Sequence, residues 1–96
     1  MVITILEAQV VPQKASSLEA AFKQAVEQME PGIVQTFLLH GFKDPNSWKI
    51  MTVWQSRQAL DEMRQSTETP RGVLIFRAAQ AEPILSVFYV AAQASV

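Results

Sequence analysis

The sequence predicts an α+β fold: a four-stranded antiparallel sheet with its helices on one face. Three observations predict it. β-branched and aliphatic stretches alternate with amphipathic ones in the order β-α-β-β-α-β across 96 residues, the ferredoxin-like order. The second and third strand candidates are separated by a short Asp-Pro turn, which makes them an antiparallel hairpin. Ninety-six residues allow one domain, 1–96, with no repeat, low-complexity run or linker inside it.

Each element has its own signal. Residues 2–11, VITILEAQVV, form the first strand, closed by Pro12. In SSLEAAFKQAVEQMEPG, Ser16 and Glu19 fit a capping box. Leu18, Ala21, Phe22, Ala25, Val26 and Met29 then make one helical stripe, which Pro31 and Gly32 stop. Residues 33–42 form the second strand, Asp44 and Pro45 begin a type I turn, and 48–54 form the third strand. Ser56 caps a second helix running to about residue 66, with Ala59, Leu60 and Met63 inward. Residues 67–82 fit either a short helix after Pro70 or an irregular crossing, and PILSVFYVA, from Pro83, is the fourth strand.

These strands do not alternate cleanly. Trp48, Ile50 and Trp54 oppose Met51 and Val53, while Ile84 and Phe88 oppose Leu85, Val87 and Tyr89. An antiparallel sheet with one wet face should be polar there, and two helices cover one face only. Four strands of about five residues present roughly 300 to 400 Å². Burying that area against a second copy contributes on the order of 10 kcal/mol before association costs. The expectation is an isologous homodimer through the sheet face. Its alternative is a monomer whose residues 67–82 fold over the second face.

Composition narrows the function classes. Hydrophobic residues make up 49% and charged residues 18% of the chain, a low charged share that suits a surface buried against a partner. Eight Lys and Arg balance nine Asp and Glu without a basic cluster, so nucleic acid is not an expected partner. The absence of Cys excludes disulfides, thiolate metal sites and Cys nucleophiles. MVITILEAQVV has neither the basic start nor the cleavage site of a signal peptide, and no apolar run reaches a membrane span. The expected setting is cytoplasmic, without membrane contact.

Residues 29–66 carry a resemblance. Pro31-Gly32, a strand, Asp44-Pro45, a strand closing on Trp54-Gln55-Ser56 and a helix with Ala59-Leu60 occur in the order found in the antibiotic biosynthesis monooxygenase domain, a branch of the dimeric α+β barrels. The resemblance implies a homodimer of fused sheets with a pocket in each subunit between sheet and helices. It also implies oxidation of a small aromatic or quinol by O2 without metal or flavin. In such a reaction the electron-rich substrate anion itself reduces oxygen, and the pocket binds, deprotonates and excludes water. Haem-cleaving relatives use an Asn, a Trp and a later His; here Glu7 and Met63 occupy the first two positions and no His follows His40.

Two catalytic candidates stand out. His40, the sole histidine, is the residue type best suited to general-base work at neutral pH. Glu7 sits in an otherwise apolar strand, where a charge must be paired or functional. Each has a structural reading too: His40 as a solvated strand end, Glu7 as the partner of Arg71 or Arg77 or an edge residue. Gln35, Thr52, Trp54, Met63 and Tyr89 are the candidate substrate-binding residues. Their ordinary alternatives are cross-strand hydrogen bonding for Gln35 and Thr52, and core or interface packing for Trp54, Met63 and Tyr89. One His without nearby carboxylates makes no metal site. Two functions remain open: a cofactor-independent monooxygenase, or a non-catalytic dimeric binding or interaction module. An inward-pointing Glu7 or His40 favours the first, and a pocket filled by Phe and Met the second.

Overall fold

A computed structural model describes residues 1–96. Strands β1 (Val2–Gln9), β2 (Ile33–His40), β3 (Ser47–Trp54) and β4 (Ile84–Tyr89) alternate with helices α1 (Ala15–Ala25), α2 (Arg57–Ser66) and α3 (Arg71–Ala78). The sheet order is β2-β3-β1-β4 and every neighbouring pair is antiparallel, which is the ferredoxin-like topology. No helix is long and apolar enough to cross a membrane.

Local chemistry accounts for most element boundaries. The hairpin turn closes with the Ser47 amide donating to the Asp44 carbonyl at 3.0 Å, while the Asn46 amide donates to Asp44 Oδ1 at 3.0 Å. Ser56 caps α2 by accepting from the Ala59 amide at 3.1 Å. The expected Ser16–Glu19 box does not form. Pro12 instead opens a 3₁₀ turn over Pro12–Lys14 that runs into α1 at Ala15, leaving Ser16 inside the first turn. At its other end α1 gives way at Val26 to a second 3₁₀ turn, so Met29 lies beyond the helix and is exposed. Gly32 then takes a φ of +88°, and a Cβ there would stand 2.5 Å from the Ala59 Cβ, so both backbone and space require glycine.

One register detail regroups β2. An irregularity between Ile33 and Gln35 moves Ile33 from the expected Gln35 and Phe37 set to the side of Thr36, Leu38 and His40. The sheet face toward the helices therefore carries four cross-strand rows: His40–Trp48–Ala8, Leu38–Ile50–Leu6, Thr36–Thr52–Thr4 and Ile33–Trp54–Val2.

Residues 67–82 contain a helix, and α3 lies on the same face as α1. Its Ile75 and Phe76, with the following Ala79, join Leu18, Ala8, Val10, Trp48 and Ile50 in the larger core cluster. A smaller cluster gathers Val2, Trp54 and Leu60, with Ile33, Ala59 and Met63 against it. Complete burial of side chains such as Phe76, Leu18 and Leu60 stabilises by about 1.5–3 kcal/mol each. Because α3 packs there, this chain supplies no cover for the opposite face. Phe37, Leu39, Ile84 and Phe88 are exposed on it, and Glu7 faces Lys49 across it at 3.8 Å.

Candidate functional site

A cavity of about 170 Å³ lies between the sheet and the helices, toward the Trp54 end. Its floor is the row of three threonines, Thr36, Thr52 and Thr4, one from each of three adjacent strands, with Ile50 and Leu6 on one side and Ile33 and Trp54 on the other. Phe22, Ala25 and Val26 approach from the α1 side, Leu60 and Met63 from α2, and Gly72, Val73 and Ile75 from α3. The hollow has a simple cause. Threonines are short, and the row beneath the helices rises too little to meet them. Gly72 brings α3 down close to β1, since a Cβ there would stand 2.5 Å from Leu6 Cδ1. For scale, a dry apolar cavity of about 150 Å³ takes up benzene.

The polar groups of this space are few and ordered. Trp54 Nε1 donates to Thr4 Oγ1 at 3.0 Å in a buried hydrogen bond. Thr36 Oγ1 and Thr52 Oγ1 lie 3.0 Å apart and share a hydrogen bond. Charge enters only with Glu30, Arg64 and Arg71 among the lining residues. Arg71 Nε and Glu30 Oε1 form an ion pair at 3.3 Å, and Glu30 is the more enclosed partner. The cavity is therefore apolar over most of its wall, hydroxyl-lined on its floor and charged at a few lining positions.

Of the residues expected from the sequence, Thr52, Trp54 and Met63 meet in this cavity. The others lie elsewhere. Glu7 is on the open face with Lys49, not with Arg71 or Arg77, which pair with Glu30 and Glu82. His40 stacks on Trp48 at the far end of the helix-covered face, with ring centroids 3.9 Å apart, and its Nε2 lies 2.6 Å from the Pro45 carbonyl. Gln35 is exposed beside the β2 irregularity. Tyr89 is exposed, and its hydroxyl accepts from Arg57 at 2.7 Å. Asp61 first, and then Tyr89, holds the Arg57 guanidinium above the ordinary arginine range, so it stays a cation. Neither expected proton-handling residue lines the cavity. No three His, Asp or Glu side chains come together in the structure.

Thr4, Glu30 and Arg71 line the cavity without having been singled out. Thr4 carried a readable signal, as the one polar residue in phase with Val2, Leu6 and Ala8 on β1. Glu30 and Arg71 did not, because their pairing depends on how the α1 exit meets the start of α3.

Comparison with known proteins places this geometry. The chain aligns in structure with a mutant form of SnoaB, a cofactor-independent oxygenase from Streptomyces nogalater, at a TM-score of 0.71 and 20% identity over 96% of this chain and 94% of that one. Rv0793 from Mycobacterium tuberculosis superposes at a TM-score of 0.72 with 20% identity over 98% of both chains. A candidate antibiotic biosynthesis monooxygenase from Deinococcus radiodurans superposes at 0.74 with 14% identity, over 100% of this chain and 98% of that one. At such identities these likenesses speak for the fold. No curated protein matches the chain in sequence. The profile of the family named antibiotic biosynthesis monooxygenase matches residues 1–81, most of the domain just described, and the chain belongs to that family.

Proposed function

We propose that this chain is a cofactor-independent monooxygenase that binds a small phenolic or quinol-type ring in the cavity above the threonine row and oxidises it with O2. The observation that carries this reading is the cavity itself: ring-sized, apolar in its walls and hydroxyl-lined on its floor, in a chain of this family. Thr52, Trp54 and Met63 would contact the ring, and Glu30, the one carboxylate among the lining residues, would accept the phenolic proton.

The reaction needs no external reductant. The phenolate passes one electron to O2, and the resulting radical pair combines at a hydrogen-bearing ring carbon ortho or para to the oxygen to form a C–O bond. Loss of the ring hydrogen from that carbon then breaks the O–O bond. One oxygen atom stays on the ring as the new carbonyl of a quinone, and the other leaves as water. The protein contributes enclosure, alignment and proton removal.

The same reading includes a homodimer joined through the open sheet face, where Phe37, Leu39, Ile84 and Phe88 are exposed together. Sedimentation at micromolar concentration should give twice the 10.7 kDa chain mass. Particles of single-chain mass would remove the dimer from the proposal.

Oxygen uptake tests the chemistry. With a panel of small hydroquinones and anthrones, wild-type protein should consume O2 above the uncatalysed rate, and Glu30→Gln should lower that rate about 10²-fold or more. Uptake at the background rate across the whole panel would leave a ligand-binding module as the better description.

A further inference from the structure

The hydrogen-bond arithmetic of the threonine row goes one step beyond that proposal and rests on it. An indole N–H can only donate, so Thr4 Oγ1 is the acceptor in its 3.0 Å bond with Trp54, and the Thr4 hydroxyl proton is left to donate elsewhere. Within the Thr36–Thr52 pair one hydroxyl donates to the other, so one proton of that pair is also unspent. No other side-chain hydrogen bond engages these three oxygens, yet Thr4 and Thr52 are each only 8% exposed. Buried hydroxyls without an acceptor for their protons are costly. All three side chains line one cavity, and the register sets Thr36 beside Thr52 and Thr52 beside Thr4.

We infer that this row is a cradle for a ligand oxygen anion: it takes the ionised hydroxyl of a small phenol between the free protons of Thr4 and the Thr36–Thr52 pair, and favours phenolate over phenol. Two hydroxyl donors on one wall, each free to rotate, match an oxygen that only accepts. The Trp54 N–H polarises the Thr4 hydroxyl and makes it the stronger donor. The charges lining the cavity sum to a positive balance that suits an anion, since Arg64 and Arg71 stand against the single carboxylate of Glu30 and Arg64 forms no ion pair. An anion in an apolar space needs this much compensation. The cradle thus supplies the species from which O2 can draw an electron.

The test uses 4-nitrophenol, whose phenolate is coloured, with the purified full chain, and reads binding and ionisation separately from oxygen uptake. In wild-type protein the bound probe should ionise at a pH about one unit or more below that of the free probe. Its phenolate should bind about tenfold or more tighter than 4-nitroanisole, which has no ionisable hydroxyl. Thr4→Val should abolish most of that preference and Thr4→Ser retain it. Because Thr4→Val also strands the Trp54 N–H, the deciding variant is Thr36→Val/Thr52→Val. It removes both partners of one hydrogen bond and leaves no orphan, so its fold, checked by its thermal melt, should survive. That variant should lose about tenfold in phenolate preference. No binding of the probe to wild type, a bound probe ionising at or above the free value, or full preference kept by the folded double variant would each overturn the cradle. A wild-type ionisation shift accompanied by background oxygen uptake would uphold the cradle and remove only the oxidation.

Discussion

Trp48 and Trp54 stand on the same strand and the same face, near its two ends, and their surroundings are opposite in kind. Trp48 is in solid protein: Leu18 of α1, Ile75 and Phe76 of α3 and Ala79 fill the space above its end of the sheet. Trp54 borders a hollow and spends its N–H on Thr4. Both indoles are 4% exposed, so burial does not distinguish them. What differs is the neighbouring row. Beside Trp48 lies Leu38–Ile50–Leu6, whose branched side chains reach the helices; beside Trp54 lies Thr36–Thr52–Thr4, whose side chains do not. A binding site in this fold is thus made by subtraction, one short row under helices that continue overhead.

The contrast predicts where truncation hurts most. Phe76 is fully buried in the solid end, and Phe76→Ala should cost about 3–5 kcal/mol in chemical denaturation, a large fraction of the stability of a domain of this size. A loss below about 1 kcal/mol would mean that the solid end is looser than its packing indicates.

The converse experiment adds volume. Ala79→Leu enters the filled end and should cost about 1–3 kcal/mol through overpacking. Ala25→Leu projects into the cavity, should cost less in stability, and should weaken 4-nitrophenol binding by competing for the same space. Equal destabilisation by the two changes would show that the hollow closes in solution.

How much of this could be read from the residues follows the range of the interactions. Elements set by neighbours in sequence were legible: the Asp44 turn, the Ser56 cap, the second helix and the four strands all form, although the first and second strands end at Gln9 and His40, two residues before their expected ends. The Ser16–Glu19 box failed for an equally local reason, because Pro12 starts the helical path one turn early. The β2 irregularity was not legible, since Ile33 changes sides only through its pairing with Trp54. The site divides the same way. Thr52, Trp54 and Met63 could be picked out as strand or helix residues of suitable chemistry, but their meeting with Thr4 and Glu30 depends on contacts between residues remote in sequence. Glu7 looked functional because a charge in an apolar strand is expensive when buried; β1 instead turns it to the open face, where Lys49 and solvent share it.

Smaller effects are expected at the edge of each region. Ser56→Ala removes the side-chain cap at the start of α2, the helix that supplies Leu60 and Met63 to the hollow end. It should lower stability by about 1 kcal/mol in denaturant titration and loosen probe binding slightly. A stability change near zero would mean that water replaces the cap.

His40 supplies the smallest and most discriminating case. It belongs to the solid end: its ring lies nearly parallel to Trp48, at an interplanar angle of 10°, and its Nε2 sits beside the Pro45 carbonyl. A stacked aromatic pair contributes about 0.5–1.5 kcal/mol. His40→Ala should therefore lose stability of that order while leaving 4-nitrophenol ionisation and oxygen uptake where they were, since the ring does not line the cavity. Glu30→Gln should do the reverse, lowering oxygen uptake with a small change in melting temperature. If His40→Ala abolished uptake while the melt stayed put, chemistry would reside at the Trp48 end, and the hollow beside Trp54 would lose its claim to the active site.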